Sequence, residues 1–268
     1  MPTSTFFAAL WADYLALAPQ AADIRQLFGG ENVINDHVAF RTFDHPAICL
    51  TVLEQPLLEL GYRRDAHYEF PDKHLSAWGY IPACADDPLI FLSQLHLAQL
   101  SAAAQAIVAP LLSQLPVPCV TGADFFYSGR HWPAPSWAQY QALAAESEYA
   151  AWLVLHGFHA NHFTIAVHRL GVSLAEVVQK IAIAGYPMNT AGGVIKGSED
   201  VLLMQAATLA QTVPFDFADA PGQLVPGCYY EFAQRFADES GQLYQGFVAA
   251  SANRIFESTH LQHERGAR

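Results

Sequence analysis

Apolar and polar positions along the chain change period several times, and each change marks an element. Apolar residues recur at helical spacing over 5–17, 97–115, 135–155 and 173–184, which predicts four amphipathic helices. A fifth stretch, 46–60, has the same spacing but contains Pro56; without an amide donor there, a kink or a split is expected. Alternating or continuous apolar runs predict strands over 33–43 (VINDHVAFRTF), 76–81, 88–95 (PLIFLSQL), 162–168 (HFTIAVH), 201–212 and 228–235 (CYYEFAQR). Proline- and glycine-rich stretches near 116–122, 186–193 and 214–227 read as loops. The glycine-rich run 192–198 lacks the spacing of a phosphate loop and reads as a hairpin.

Two stretches repeat one order of features. Asp36-His37-Val38-Ala39-Phe40 opens a strand, a helical stretch follows, and Leu60-Gly61-Tyr62 ends it. Asn161-His162-Phe163-Thr164-Ile165 opens another, and Ala184-Gly185-Tyr186 ends the helix after it. The His-to-Gly separations are 24 and 23 residues. This predicts two degenerate β-α-β-β-β units, about 33–95 and 161–235, with a helical insert over about 97–156. Paired units of this kind form one curved, partly closed, barrel-like mixed sheet with the helices outside. The expected class is α+β, with 1–268 acting as a single catalytic domain.

Composition narrows the function. The chain has 268 residues, 52% hydrophobic and only 14% charged, so a charge inside an apolar run is informative. The net charge of −12 repels phosphate backbones and anionic lipid, which argues against nucleic acid or a membrane surface as partner. Four well-separated cysteines (Cys49, Cys84, Cys119, Cys228) form no C-x-x-C pair and read as reduced thiols rather than a disulfide frame. Residues 1–19 have no basic segment before their apolar run, and no run reaches membrane-spanning length. The expectation is a cytoplasmic protein.

Three charged or titratable positions stand out against this background. In the first strand, alternation puts His37, Ala39, Arg41 and Phe43 on one face. A cation on an apolar strand is costly unless paired or met by an anionic ligand, so this face is a candidate polar cavity. The cluster His156, His159, His162 is spaced like a metal-binding helix face, but Gly157 and the run HFTIAVH indicate a helix ending and a strand beginning. His162 is then the repeat counterpart of His37, sharing a face with Thr164, Ala166 and His168. His156 and His159 fall in the turn, with a supporting role or substitution of His159 for His162 as the alternatives. Glu231 lies among aromatic residues in CYYEFAQR; either it binds a metal or it forms an exposed pair with Arg235 on the same face. Two His and one carboxylate suit Fe(II) with open positions for substrate and oxygen, and also suit catalytic Zn or another divalent metal.

At these residues the chain resembles the bacterial 2-oxoadipate dioxygenase/decarboxylase family, through DHVAFRTF (His37, Arg41), HANHFTI (His162), LLMQAATLA (Gln205) and YYEFAQR (Glu231). The second half is also similar to the metal-binding half of 4-hydroxyphenylpyruvate dioxygenase and hydroxymandelate synthase, which implies a vicinal-oxygen-chelate fold. The resemblance implies Fe(II) held by His37, His162 and Glu231, with a 2-keto acid and dioxygen as partners. Oxidative decarboxylation of 2-oxoadipate would give 2-hydroxyglutarate and CO2 in lysine breakdown. It implies further that Arg41 pairs with a substrate carboxylate, that Gln205 orients the substrate and that Ser251 contacts it. This chain is much shorter than the long members, so segments around the pocket are reduced. A metal-dependent hydrolase or glyoxalase-like lyase on the same scaffold, and a non-catalytic small-molecule binder, are the competing classes.

Overall fold

One polar face on an otherwise apolar strand determines how this chain folds around it. In a computed structural model describing residues 1–259, α1 (Thr3–Tyr14) and α2 (Gln20–Leu27) precede β1 (Asn35–Phe43), α3 (Leu50–Glu59), β2 (Arg63–Phe70), β3 (Leu75–Ile81) and β4 (Leu89–Leu95). Three helices follow: α4 (Ala102–Leu112), α5 (Trp137–Glu146) and α6 (Glu148–His156). The second unit contains β5 (Ala160–Ala166), α7 (Leu174–Ile183), β6 (Lys196–Ser198), β7 (Leu203–Ala207), a hairpin of β8 (Thr212–Phe215) and β9 (Gln223–Pro226), and β10 (Tyr229–Arg235). Helix α8 (Ala249–Ile255) and a 3-10 turn, Phe256–Thr259, complete the described chain.

Eight strands form one mixed, curled sheet in the order β2-β3-β4-β1-β5-β10-β7-β6. Each unit runs the same way from edge to centre, β2-β3-β4-β1 and β6-β7-β10-β5. In both, the first strand lies parallel to the last, β1 to β4 and β5 to β10. Strands β1 and β5 pair antiparallel at the middle, so the halves are related by an approximate twofold axis. The expected α+β architecture of two β-α-β-β-β units is therefore present. Helix α8 touches β2, β6 and β7 and so spans the open mouth between the two sheet edges.

The opposite face of the sheet carries the main core. Phe6, Leu10 and Tyr14 of α1 are fully buried, and the Trp11 and Tyr14 rings lie 5.1 and 5.0 Å from Phe163. Helix α7 buries Leu174, Val177 and Ile181 on one stripe, beside β7 and β10. Its start is set by Ser173 and Glu176, each bonding the other's backbone. Gly157 ends α6 at φ +74; a Cβ there would meet the Gly129 carbonyl oxygen at 2.4 Å, so only glycine fits this turn into β5.

Several elements differ from the pattern reading. The helix over 135–155 is two helices, because Ser147 leaves the helical region and its side chain caps α6 at Ala150. Pro56 sits inside an uninterrupted α3 and splits nothing. Strand β2 (RRDAHYEF) has no apolar alternation because it is an edge with one exposed face; Arg64 anchors it through Glu54 and over the Trp78 ring at 4.6 Å. The run 201–212 begins in a turn that Leu202 closes at φ +60, continues as β7, and is broken over 208–211 before β8 starts at Thr212. The stretch 214–227 includes most of the β8–β9 hairpin rather than only loop. The run 192–198 is not itself a hairpin but supplies one strand, β6, of a hairpin that turns at 199–202 and returns as β7. All four cysteines are free. Among the described residues, no helix is long and apolar enough to cross a membrane.

His156 is buried at the end of α6, with a ring nitrogen 2.8 Å from the Pro226 carbonyl. Burial pushes its pKa down to about 3, the carbonyl only partly opposing this, so the ring is neutral and donates. The unfolded state binds this proton below about pH 6.5 and the native state does not. Stability from this site is complete above pH 6.5 and declines as pH falls toward 3, by about 5 kcal/mol at most. Urea melts from pH 4 to 7 will show this slope, and His156→Phe will flatten it by roughly one proton.

Candidate metal centre

Sheet order brings the candidate ligands together from three adjacent central strands. His37 comes from β1, His162 from β5 and Glu231 from β10; Ala39 pairs with His162, and Tyr229 pairs with His162 on the other side. The three residues are 2, 5 and 0% exposed. One donor atom from each lies within 4.8 Å of the others. His37 Nε2 is 3.4 Å from His162 Nε2 and 3.5 Å from Glu231 Oε1, and His162 Nε2 is 3.1 Å from Glu231 Oε2. Ligands about 2.1 Å from one ion are separated by about 3.0–3.4 Å at right-angle to tetrahedral spacing, so the donor set suits a divalent cation.

The surrounding groups orient these donors. A register irregularity between Asn35 and Val38 lets neighbouring Asp36 reach His37, with Oδ1 2.7 Å from Nδ1. Nδ1 therefore carries the proton and Nε2 turns its lone pair inward, as a metal-ligating imidazole requires. Thr164 Oγ1 also approaches His37 Nε2 at 3.1 Å. His162 Nδ1 lies 3.3 Å from Asn161 Oδ1, and its ring stacks on Tyr229 at 4.6 Å. Gln205 Nε2 donates to Glu231 Oε1 at 2.6 Å. Glu231 Oε2 is buried with no hydrogen-bond partner, and so are Gln205 Oε1 and the Tyr229 hydroxyl. Unmatched polar atoms of this kind are costly in an interior; these three residues line one cavity.

The electrostatics agree with that reading. Burial raises the Glu231 pKa, with His37 and Gln205 opposing it only in part. Burial, reinforced by His37 and Arg41, holds His162 well below its usual range. Against burial, which alone would raise it, Arg235 and His37 hold the Asp36 carboxyl far below the normal carboxylate range. A neutral His162 and a carboxylate that needs a cation are forms a divalent metal takes.

Other expected residues fall in different places. Arg235 is 4% exposed and pairs with Asp36, not Glu231; the exposed ladder pair is overturned. His159 turns to Asp13 at 2.6 Å, away from the cluster, and His156 bonds Pro226. His168 leaves the strand face because β5 stops at Ala166 and a 3-10 turn, Val167–Arg169, follows. Arg41 is buried and already engaged: Nη1 donates to Glu148 Oε1 at 2.8 Å and Nη2 to Thr259 at 3.2 Å. Its guanidinium lies over Tyr149 and Trp152, while its Nε has no acceptor. Gln205 bonds Glu231 directly rather than standing free. Ser251 does not line the cavity; it is buried beside Gly197, while Ala252 and Ile255 of the same helix face it.

The cavity itself measures about 20 Å³, roughly one water. Phe91, Phe247, Ile255 and Phe256 wall it on the side away from the ligands. Phe247 lies edge-on to His37 at 5.0 Å. Asp36, Tyr229 and Glu148 were missed by the sequence reading. Asp36 had a signal, an acid beside a strand histidine, and so had Tyr229, two residues before Glu231 on one strand face; Glu148 is placed only by tertiary packing.

A buried His-His-Glu cluster able to hold a metal ion, set at the centre of a curled sheet built from two β-α-β-β-β units, defines the class: a mixed α+β protein with one candidate metal centre among the described residues. A family model described as 2-oxoadipate dioxygenase/decarboxylase matches residues 124–242. The chain is 32% identical to the 2-oxoadipate dioxygenase/decarboxylase of Oryza sativa over 92% of its length and 75% of that protein. It belongs to the 2-oxoadipate dioxygenase/decarboxylase family. Among solved structures it is similar to hydroxyglutarate synthase from Oryza sativa in complex with 2-oxoadipate, at 30% identity and TM-score 0.88, covering 96% of this chain and 93% of that one. It is also similar to a candidate hydrolase from Shewanella frigidimarina, at 41% identity and TM-score 0.87, covering 92% and 98%. A glyoxalase-superfamily candidate from Ralstonia eutropha shares the fold at 24% identity and TM-score 0.73, covering 92% and 86%.

Removing one donor tests the cluster directly. His162→Ala or Glu231→Ala should weaken Co(II) binding by at least 100-fold in a calorimetric titration, whereas His159→Ala should leave it unchanged.

Proposed function

We propose that this protein is an Fe(II)-dependent dioxygenase that converts 2-oxoadipate into 2-hydroxyglutarate and CO2, a step of lysine breakdown in the cytoplasm. The whole described chain would act as one catalytic unit, with His37, His162 and Glu231 as metal ligands. The observation that carries this reading is the orphaned, buried Glu231 oxygen beside two inward-facing imidazoles, in a family whose rice relative was solved with 2-oxoadipate. Bound Fe(II) would supply a chelation site for the keto acid and the electrons for dioxygen activation.

The overall reaction balances without an external reductant. One oxygen atom enters the new carboxylate, the other the new hydroxyl, and the substrate's own carboxyl carbon leaves as CO2. The chain's residues bind, orient and exclude water around that chemistry. Asp36 holds His37 in one tautomer, and Gln205 fixes one oxygen of Glu231. Gln205 Oε1 and the Tyr229 hydroxyl are free to meet the substrate. Phe91 and Phe247 keep the site dry, which strengthens each polar contact within it. The cavity admits a six-carbon acid only when Phe247 or α8 shifts outward.

Arg41 is the group for the distal carboxylate. Its guanidinium exchanges Glu148, itself partly exposed, for the substrate, whose two oxygens suit the planar fork. Replacing it should raise KM for a diacid and spare a monoacid. Arg41→Met, which keeps the packed stem, is expected to raise KM for 2-oxoadipate 10- to 100-fold and to change that for 2-oxohexanoate less than threefold.

The same donor set serves a Zn hydrolase, the class suggested by the Shewanella relative's name. An oxygen electrode separates the two. Fe(II)-loaded protein given 2-oxoadipate should consume one dioxygen per CO2 released, and turnover should stop under argon. Activity that persists without oxygen, or the absence of turnover over a panel of 2-keto acids, would sink the dioxygenase reading.

A further inference from the structure

All three guanidinium nitrogens of Arg235 donate, and they do so to two different parts of the molecule. Nε and Nη2 hold Asp36 in a bidentate pair at 2.7 and 2.9 Å. Nη1 donates to the carbonyls of Tyr244 and Gly246 at 3.1 and 2.7 Å. Asp36 in turn holds His37 Nδ1 at 2.7 Å. The second half of this arrangement returns to the same ligand. Phe247 follows Gly246, lies 5.3 Å from the Arg235 guanidinium and 5.0 Å from the His37 ring, and walls the cavity. Its amide donates to the Tyr68 hydroxyl oxygen at 2.8 Å.

We infer that Arg235 is a positioning residue that ties the orientation of metal ligand His37 to the seating of the covering segment 244–247. This rests on the proposed metal site. The chemistry favours arginine here. Only a planar fork can serve a carboxylate with one edge and two carbonyls with its remaining nitrogen. A buried charge of this kind also needs a counter-charge, and Asp36 supplies it; both members of the Asp36–Arg235 pair are about 2% exposed in their side chains. Groups hydrogen-bonded behind a metal-bound imidazole typically change metal affinity 10- to 100-fold when removed. Because Asp36 and the segment share one guanidinium, seating the segment improves His37 alignment, and metal binding favours the seated segment by the same factor. A segment that opens to admit substrate then releases two acceptors on Arg235 while Asp36 keeps hold of His37.

The test uses the full chain loaded with Co(II), read without turnover. Wild type is titrated with Co(II) by its d–d absorption, and hydrogen exchange of the peptide covering 236–247 is measured with and without the ion. Co(II) is expected to slow exchange of that peptide in wild type. In Arg235→Met, Co(II) affinity should fall 10- to 100-fold, the absorption envelope should change, and Co(II) should no longer slow exchange of the peptide. Asp36→Asn should lose affinity to a similar degree. Arg235→Lys, which can reach Asp36 but not also both carbonyls, should regain part of the affinity without the protection of 236–247. If Arg235→Met fails to fold, Arg235→Lys and Asp36→Asn carry the test. Wild-type Co(II) affinity and spectrum in the folded variants would overturn the inference, as would full ion-dependent protection of 236–247 in Arg235→Lys. Either result leaves the dioxygenase reading intact. Wild-type protein that binds Co(II) yet turns over no keto acid as the Fe(II) form defeats that reading and not this one.

Discussion

Glu231 is a carboxylate with no exposed surface on a central strand, and much of the architecture follows from that placement. An uncompensated buried charge costs several kcal/mol. Gln205 satisfies one oxygen, which His37 also approaches, and the second faces His162. The strand order brings two histidines and a carboxylate to neighbouring positions: β1 and β5 meet antiparallel at the middle, and β10 flanks β5 in parallel. The apolar reverse face, packed on α1 and α7, keeps those strands from sliding, since a one-residue slip would bury the wrong side chains.

The buried arginines show how charge is distributed around this centre. Each is matched to an acid, but to different degrees. Arg235 has a buried partner in Asp36 and each of its three nitrogens donates. Arg41 has a partly exposed partner in Glu148, an unused Nε, and aromatic faces beneath it. The first pair is fixed and supports a ligand. The second can change partner at lower cost, because Glu148 regains water when it lets go. Identical side chains, four positions along from His37 and from Glu231 respectively, thus do different work because their surroundings differ.

Strand periodicity made the central architecture legible. His37 and His162 could be aligned because their strands alternate and both their helices end in a Gly-Tyr pair, and Glu231 stood out as a charge among aromatics. Edge strand β2 was not legible, since its exposed face carries Arg63, Asp65 and Glu69 and leaves no apolar period. The division of 135–155 turned on the local choice of Ser147 to cap rather than continue a helix. Arg41 was legible as a buried cation, but its partner Glu148 lies 107 residues away. Arg235 and Asp36 are 199 residues apart; proximity in sequence suggested Glu231 as Arg235's partner, and only the sheet order shows otherwise.

The duplication is symmetric in strands but not in chemistry, and the asymmetry is informative. His37 pairs with Leu89 across β1 and β4, as His162 pairs with Tyr229 across β5 and β10. Two positions further along, Phe91 is therefore the counterpart of Glu231. Both line the cavity. Each half thus supplies one histidine, while only the second supplies a carboxylate; the equivalent place in the first is a phenyl ring against Phe247 at 4.8 Å. A second carboxylate at that place would give four protein donors and fewer open positions. The phenyl ring instead leaves one side of the cluster without donors and lines it with apolar surface. An ion held by three groups on one side and faced by hydrocarbon on the other would keep coordination positions that no protein donor fills, in a dry environment whose present volume is about 20 Å³.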